Sequence, residues 1–252
     1  MSEPSRLTRP LEVLEAVVNA QEPSTAASIA ETLGIPVSTA FRTLATLVDS
    51  GLLQRTASGQ VEPGARLVYL GMRALRHWES NRELDAVTIE LASRIPESIS
   101  AGLLIGDEIM LVARQEPDSP LRVVARVGDI IAPHISALGK AILAMLPDQR
   151  ALAVLARAVG AEKAEAVAAQ LAPELRQVRE TGVGVDEGEY AMGQRCRAVA
   201  LVDDLTGVYG GLSVAGPAAR FSEADADAAA QLLRKAAASV RPAVRRPVKG
   251  SS

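Results

Sequence analysis

Residues 23–61 read PSTAASIAETLGIPVSTAFRTLATLVDSGLLQRTASGQV, and this stretch decides the fold of the amino-terminal part of the chain. Ser24 or Thr25 can cap a first helix, which ends at Gly34 because glycine accepts the left-handed conformation that follows many helices. A tight corner follows, and a second helix is predicted from about Val37 to Ser50. Two short helices joined in this way are typical of a helix-turn-helix, whose second helix enters the major groove of DNA.

The segments around this motif complete a winged helix-turn-helix. A preceding helix is predicted from about Arg9 to Ala20, because leucine and valine recur there at helical spacing. The segment from Leu52 to Val61 is predicted as a small hairpin with its turn at Ala57-Ser58-Gly59. A helical stretch from Ala65 to Trp78 follows, and we interpret it as a linker to the rest of the chain.

Composition limits the possible functions. The chain of 252 residues has a net charge of −3 and only 2% aromatic residues, which argues against a stacking platform for single-stranded nucleic acid. One cysteine and two histidines exclude an internal disulfide and argue against a metal centre, so we predict no metal and no cofactor. Neither a membrane span nor a signal peptide is indicated, so we expect a cytoplasmic protein with no membrane partner.

The carboxy-terminal part predicts an antiparallel sheet flanked by helices, which is an α+β domain. Apolar runs predict strands at residues 99–105, 109–112, 121–127, 183–185, 198–202 and 208–214. Helices are predicted at 136–146, across 149–182 with breaks at Gly160 and Pro173, and from a capping box of Ser222 and Asp225 to about Val240.

These patterns also predict the domain boundaries. We expect a DNA-binding domain over residues 1–62, a linker helix over 63–80 and a sensor domain over 81–241. Residues 242–252 are predicted to be a disordered basic tail, because they include two prolines and three basic residues and no acidic residue.

Four ordered motifs resemble the IclR-type transcriptional regulators. They are the segment Pro36–Leu47, the segment Ser136–Ala144, the segment Asp186–Tyr190 with Gly193 and Arg195-Cys196, and the segment Leu212–Pro217. The similarity extends from about Thr8 to about Val240, which is nearly the whole chain.

This resemblance implies both a fold and a function. The fold would be an N-terminal winged helix-turn-helix plus a linker helix and a C-terminal GAF-like or profilin-like sensor domain with an antiparallel sheet. The protein would form a dimer or a dimer of dimers and bind double-stranded operator DNA near a catabolic operon. A small organic acid would act as its effector, and the protein would not be an enzyme.

The DNA-reading residues are expected on the second helix of the motif and on the hairpin. Arg42 is the first candidate, because a guanidinium can donate two hydrogen bonds to guanine or bind a phosphate, although it could also be a solvated surface arginine. The other candidates are Ser38, Thr39, Thr46, Arg55 and Gln60. Residues 1–78 contain seven arginines and seven acidic residues, so we expect a dimer to be needed to gather enough phosphate contacts.

The effector is expected at a helix start. The backbone N–H groups of Ala137 and Leu138 would favour an anion, since the first turn of a helix leaves donors unpaired and carries partial positive charge. The resemblance places the carboxylate of the effector there, and the other residues that it assigns to this site are Val123, Ile131, Asp186, Cys196 and Ser213. We add Gln194, which stands where an apolar residue is common, while Ala215 stands where some members have a second polar residue. We therefore carry over no named effector.

Other interpretations remain open. Cys196 could be a buried small hydrophobe, Ser213 part of the sheet surface, and Asp186 the end of a turn. The chain could also be a sensor or scaffold protein that contacts only protein. An enzyme on a GAF-like scaffold is the remaining alternative, against which stand the lone cysteine and the absence of a G-x-S-x-G motif.

Overall fold

The computed structural model describes residues 7–20, 22–77, 79–118, 125–203 and 207–240. The chain divides between residues 78 and 79 into two compact units. The first unit contains a small two-stranded sheet and the second a six-stranded sheet, and the strands of both sheets pair antiparallel, as is typical of an α+β fold.

The first unit is a winged helix-turn-helix, as predicted. Its elements are α1 (Thr8–Val18), α2 (Ala26–Leu33), α3 (Val37–Asp49), β1 (Leu53–Arg55), β2 (Val61–Pro63) and α4 (Ala65–His77). One apolar cluster joins the first three helices to the hairpin and contains Val13, Val17, Ile29, Ala30, Ala40, Leu44, Leu47, Leu53 and Val61. Burial of each of the larger side chains contributes about 1.5–3 kcal/mol, so this cluster fixes the angle between α2 and α3.

Local hydrogen bonds set the ends of α2. Thr25, rather than Ser24, caps it: Ser28 N–H donates to Thr25 Oγ1 at 3.1 Å, and Thr25 N–H donates to Ser28 Oγ at 3.0 Å. Ser24 instead forms an isolated β-bridge with Val61 on the hairpin. Gly34 ends the helix with φ of 61°, the left-handed conformation expected from the sequence.

The second unit is built on an antiparallel sheet with the strand order β5-β4-β3-β8-β7-β6. Its strands are β3 (Ser98–Ile105), β4 (Glu108–Gln115), β5 (Ile130–Ile131), β6 (Gly184–Asp186), β7 (Gln194–Asp203) and β8 (Gly207–Pro217). Its helices are α5 (Glu79–Ala92), α6 (Ala137–Met145), α7 (Asp148–Val159), α8 (Ala161–Thr181) and α9 (Glu223–Ser239).

The two faces of the sheet carry different helices. Helix α6 packs on β6, β7 and β8, with α7 and α8 outside it, whereas α5 and α9 pack together on the other face. Side chains alternate accordingly along β7: Cys196 and Ala198 join the core cluster that contains α6. Because successive residues of a strand point to opposite faces, Val199 and Leu201 are directed away from that cluster.

Three sequence predictions are corrected by the structure. Pro173 does not break the helix predicted across 149–182, since α8 runs through it while Gly160 does separate α7 from α8. Leu171 and Leu175 on either side of Pro173 are buried, and this packing offsets the backbone hydrogen bond that proline removes. Helix α5 was not predicted, because its first half is almost entirely polar.

The third correction concerns the strand predicted at 121–127. Residues 121–124 lie outside the described residues, and the remainder is not a strand. The N–H of Arg126 donates to Asp129 Oδ2 at 2.7 Å, and Gly128 has φ of 99°, so the chain turns here. The short strand β5 that follows supplies the pairing with β4 instead.

Candidate functional site

Helix α3 presents a polar face that is free of the core. Ser38, Arg42 and Thr46 are exposed and Thr39 is half-buried, whereas Ala40, Leu44 and Leu47 are buried on the opposite side. The hydroxyl of Thr46 donates to the carbonyl oxygen of Arg42 at 3.1 Å, so it is directed along its own helix. The structure therefore brings the four helix residues expected from the sequence onto one surface.

Two apolar side chains on α3 were missed by the sequence analysis. Val37 is 54% exposed and Phe41 is 57% exposed, beside Ser38 and Arg42. Large exposed apolar side chains on a helix with a complete core stripe could have been detected from helical spacing. An apolar side chain in the major groove can contact the methyl group of thymine.

The hairpin residues Arg55 and Gln60 are engaged within the first unit. Arg55 Nη1 donates to the carbonyl oxygen of Gly59 at 3.1 Å, which braces the hairpin turn. Gln60 Nε2 donates to the carbonyl oxygen of Pro23 at 3.0 Å, and Gln60 Oε1 accepts from Ser58 Oγ at 2.9 Å. Gln60 therefore ties the hairpin to the segment before α2, and a contact from it to DNA would compete with these bonds.

In the second unit, the start of α6 is held tightly against the sheet. Ser136 caps the helix by accepting from Gly139 N–H at 3.0 Å. A Cβ atom on Gly102 would lie 2.8 Å from the Leu138 side chain, and one on Gly211 would lie 2.7 Å from it. Because glycine has no Cβ atom, these two positions leave the space on the sheet that the Leu138 side chain occupies. The N–H groups of Ala137 and Leu138 have no acceptor within their own helix, as the first turn of any helix requires.

A cavity of about 50 Å³ lies beside this helix start. Six residues expected from the sequence line it: Ile131, Leu138, Asp186, Gln194, Cys196 and Ser213. Ala137 is buried but is not among the lining residues, and Val123 lies outside the described residues. Further lining residues are Ser100, Leu111, Arg114, Ala125, Ser136, Tyr190 and Ala215.

The two carboxylate oxygens of Asp186 have different surroundings. Oδ1 accepts from the N–H groups of Gly188 at 3.0 Å, Glu189 at 2.7 Å and Tyr190 at 3.3 Å. Oδ2 is buried in the described structure without a hydrogen-bond partner. Asp186, which lines the cavity, therefore shapes the turn after β6 with one oxygen, while its other oxygen is a buried acceptor without a partner.

Lys140 holds that turn onto α6, a role that was not expected from the sequence. It is almost completely buried, and its Nζ lies 2.6 Å from Glu189 Oε1 and 2.7 Å from Glu174 Oε2. Burial alone would lower the pKa of the Lys140 ammonium, but the hydrogen bonds with Glu174 and Glu189 outweigh burial and raise that pKa. Nζ also donates to the carbonyl oxygen of Val185 at 3.2 Å, so the ammonium links three elements.

Cys196 gives the cavity a neutral thiol, and Arg114 gives it a positive charge. Burial, and then the nearby charge of Asp186, raises the pKa of the Cys196 thiol far above its ordinary value, so the thiol stays protonated. Arg114 is a buried cation that sequence analysis missed: its side chain is only 6% exposed. Its Nη1 donates to Ser100 Oγ at 2.7 Å and its Nε to Glu116 Oε1 at 3.4 Å.

Family models match both units. The model "IclR helix-turn-helix domain" matches residues 7–57, and "Bacterial transcriptional regulator IclR C-terminal" matches residues 72–241. Each match falls on a region with the expected architecture, since α3 lies in the first and the cavity residues in the second.

Similar proteins carry the same description. The HTH-type transcriptional repressor AllR of Escherichia coli is 26% identical over 247 residues, covering 94% of this chain and 89% of that protein. An IclR family transcriptional regulator from Brucella abortus has 21% identity and a TM-score of 0.82, covering 97% of this chain and 94% of its own. An IclR homologue from Microbacterium hydrocarbonoxydans, solved with 4-hydroxybenzoate, has 24% identity and a TM-score of 0.68, covering 93% and 96%.

The described ranges contain neither a membrane-spanning helix nor a metal-binding cluster of side chains. No helix there is long and apolar enough to cross a lipid bilayer. No group of three or more histidine, cysteine or acidic side chains is arranged there to hold a metal ion.

Proposed function

The chain belongs to the IclR family of bacterial transcriptional regulators, and we propose that a small organic acid bound in its cavity controls its binding to a specific DNA operator. The observation that carries this proposal is a cavity beside the start of α6 that is lined by the buried guanidinium of Arg114 and by Asp186, whose buried Oδ2 has no partner in the described structure. Members of this family bind DNA through a helix-turn-helix and are transcription factors rather than enzymes. We expect the protein to act in the cytoplasm, where operator DNA is present.

The operator is read by α3. Arg42 lies at the centre of the exposed face and donates to guanine or to a phosphate, with Ser38 and Thr39 in the first turn contacting the backbone. Phe41 and Val37 add apolar contacts on the same surface. Arg55 supplies a backbone contact from the hairpin, because its bond to the Gly59 carbonyl engages only one of its guanidinium nitrogens. Thr46 and Gln60 contribute less, because their polar groups bond within the unit.

Two copies of the chain are needed for this binding. The first unit has no excess of positive charge, and one copy alone would make few phosphate contacts. Helix α4 exposes four large apolar side chains, Val68, Tyr69, Leu70 and Met72. A surface of this kind on a soluble unit is typical of a protein interface, and we propose that a second copy of the chain covers it.

The effector is a small organic acid. The first turn of α6 supplies N–H donors and partial positive charge, and Arg114 supplies a buried guanidinium, so the cavity favours a carboxylate. The 4-hydroxybenzoate bound to the Microbacterium relative is an acid of this class. Binding would favour one arrangement of the dimer, and two recognition helices must lie about 34 Å apart to contact successive major grooves.

The test is binding to the intergenic DNA upstream of the gene. We expect a specific mobility shift that Arg42→Ala abolishes and that the matched control Arg157→Ala retains, since Arg157 lies on α7 in the second unit and pairs with Glu108. In Arg42→Ala, the salt-dependent binding to this DNA should be lost together with the sequence specificity of that binding. If the wild-type protein gives no specific shift at low salt, the alternative function as a sensor that contacts only protein is favoured.

A further inference from the structure

The amino-terminal half of α3 carries an exposed apolar surface. Val37 is the first residue of the helix and Phe41 lies about one turn later, and these residues are 54% and 57% exposed. Residues four apart on a helix are neighbours on its surface, with Cβ atoms about 5–6 Å apart. The side chains of Val37 and Phe41 therefore form one continuous surface, which we call the apolar ridge.

This apolar ridge takes no part in the core of the first unit. The buried cluster of that unit includes three residues of α3, but neither Val37 nor Phe41 is among them. Phenylalanine is rare in this chain: there are two, and the other, Phe221, is only 4% exposed. A phenylalanine that stays in water contributes little to folding, so a contact with a partner explains the position of Phe41 better than folding does.

The neighbours of the apolar ridge indicate which partner covers it. Ser38 follows Val37 and Arg42 follows Phe41, and both of these polar residues are exposed. A helix-turn-helix places the amino-terminal residues of its second helix against the base edges in the major groove. The family model for this domain matches residues 7–57, which include α3. The partner is therefore duplex DNA, whose major groove presents the C5 methyl of thymine as an apolar group.

The charge balance of the first unit makes such a contact important. Residues 1–78 contain seven arginines and seven acidic residues, so attraction to phosphates contributes less to the affinity than it does in a basic domain. Phosphate contacts also carry no direct information about the base sequence. An apolar contact with a base edge supplies both affinity and specificity and requires no net positive charge.

We propose that the apolar ridge packs against the methyl group of a thymine in each half-site of the operator, so that Val37 and Phe41 help to determine which sequence is bound. The ridge removes the methyl group from water, while Arg42 donates hydrogen bonds to guanine or to a phosphate beside it. This inference rests on the proposed function, because it specifies part of the DNA sequence that α3 reads.

Replacement of thymine by deoxyuridine tests this contact, because uracil pairs as thymine does but lacks the methyl group. The full-length protein first selects sites from a random DNA library, and each thymine of the selected half-site is then replaced in turn. At one position, replacement in both half-sites should weaken binding about tenfold, since each buried methyl group contributes about threefold to fourfold. The factor should be the same at each salt concentration, because a methyl contact releases no counterions.

Variants then assign this sensitivity to the apolar ridge. In Phe41→Ala the factor should fall to about threefold or less, and in the double variant Val37→Ser and Phe41→Ala it should approach one. Ile89→Ala is the matched control, because Ile89 is 58% exposed on α5 of the second unit, and it should keep the wild-type factor. Thermal unfolding of all three variants should be close to that of the wild type, because the substituted residues are exposed.

The proposal is overturned if no thymine of the selected site responds to replacement, or if the double variant keeps the wild-type factor. In both of these cases, selection of a specific site by the wild type still supports the proposed function. If the protein selects no specific site from the library, both this inference and the proposed function fail.

Discussion

At the scale of single residues, Asp186 divides two tasks between its two carboxylate oxygens. Three backbone N–H groups converge on Oδ1 and fix the turn after β6, while Oδ2 is buried without a partner on a residue that lines the cavity. The two interpretations that the sequence left open, a turn residue and a pocket residue, are therefore compatible with each other. Substitutions that affect only one oxygen should separate these tasks.

Asp186→Asn should preserve the turn and change the cavity. The amide oxygen can still accept the three N–H groups, but an NH₂ group replaces the free acceptor. Asp186→Ala loses both and should lower the free energy of unfolding by about 1.5–3 kcal/mol more than Asn does. Urea denaturation of the two variants measures this difference, and equal stabilities would contradict the role of Oδ1 in the turn.

Lys140 predicts a pH dependence of stability. Its folded-state pKa is raised above the ordinary value of 10.5, so its stabilising contribution is fully present below that value and is lost as the pH rises through the raised pKa. Lys140→Met should cost about 1–3 kcal/mol near neutral pH, because Glu174 and Glu189 lose a buried charged partner.

The measurement is the difference in free energy of unfolding between the wild type and Lys140→Met, taken near neutral pH and again above about pH 11. The difference should shrink at the higher pH. Lys163→Met, at an exposed position of α8, is the matched control and should show no such trend. A constant difference across this range would contradict the ion-pair explanation.

At the scale of elements, α8 shows how tertiary packing overrides a local signal. Pro173 lies in the interior of the helix, yet Leu171 and Leu175 beside it, together with Ala164 and Val178, bury one face of α8. Proline in a helix interior costs about 3 kcal/mol or more, so the packed face must compensate for it.

Pro173→Ala should therefore stabilise the protein. Alanine restores the missing backbone N–H donor, and we expect a gain of about 1–3 kcal/mol in the free energy of unfolding. Chemical denaturation measures it, with Gln170→Ala at an exposed neighbouring position as the control that changes little. A loss of stability would show that the course of α8 depends on the proline.

Most elements, but only part of the site, could be predicted from the sequence. Periodicity and caps found α1, α2, α3 and α9, because those signals are local. They could not find Arg114 or Ser100 as cavity residues, since the register of β3 with β4 and the position of α6 above the sheet make them so. Helix α5 was not predicted because its first residues are polar, although Leu84 and Leu91 further along it are buried.

At the scale of the whole molecule, the proposed DNA-reading surface and the cavity lie in separate compact units. Regulation then requires a free-energy coupling between the two sites, and such coupling is reciprocal: the ligand must change operator affinity by the same factor by which the operator changes ligand affinity. The predicted boundaries at residues 62, 80 and 241 remain predictions, and residues 242–252 lie outside the described residues.

The most direct test measures operator affinity of the full chain with and without the acid that binds it most tightly in a panel of small carboxylic and aromatic acids that includes 4-hydroxybenzoate. We predict a change of about fivefold or more for the wild type. The double variant Asp186→Ala and Ser213→Ala should bind the operator with wild-type affinity and show no change when that acid is added. A double variant that still responds as the wild type does would contradict the claim that this cavity controls DNA binding.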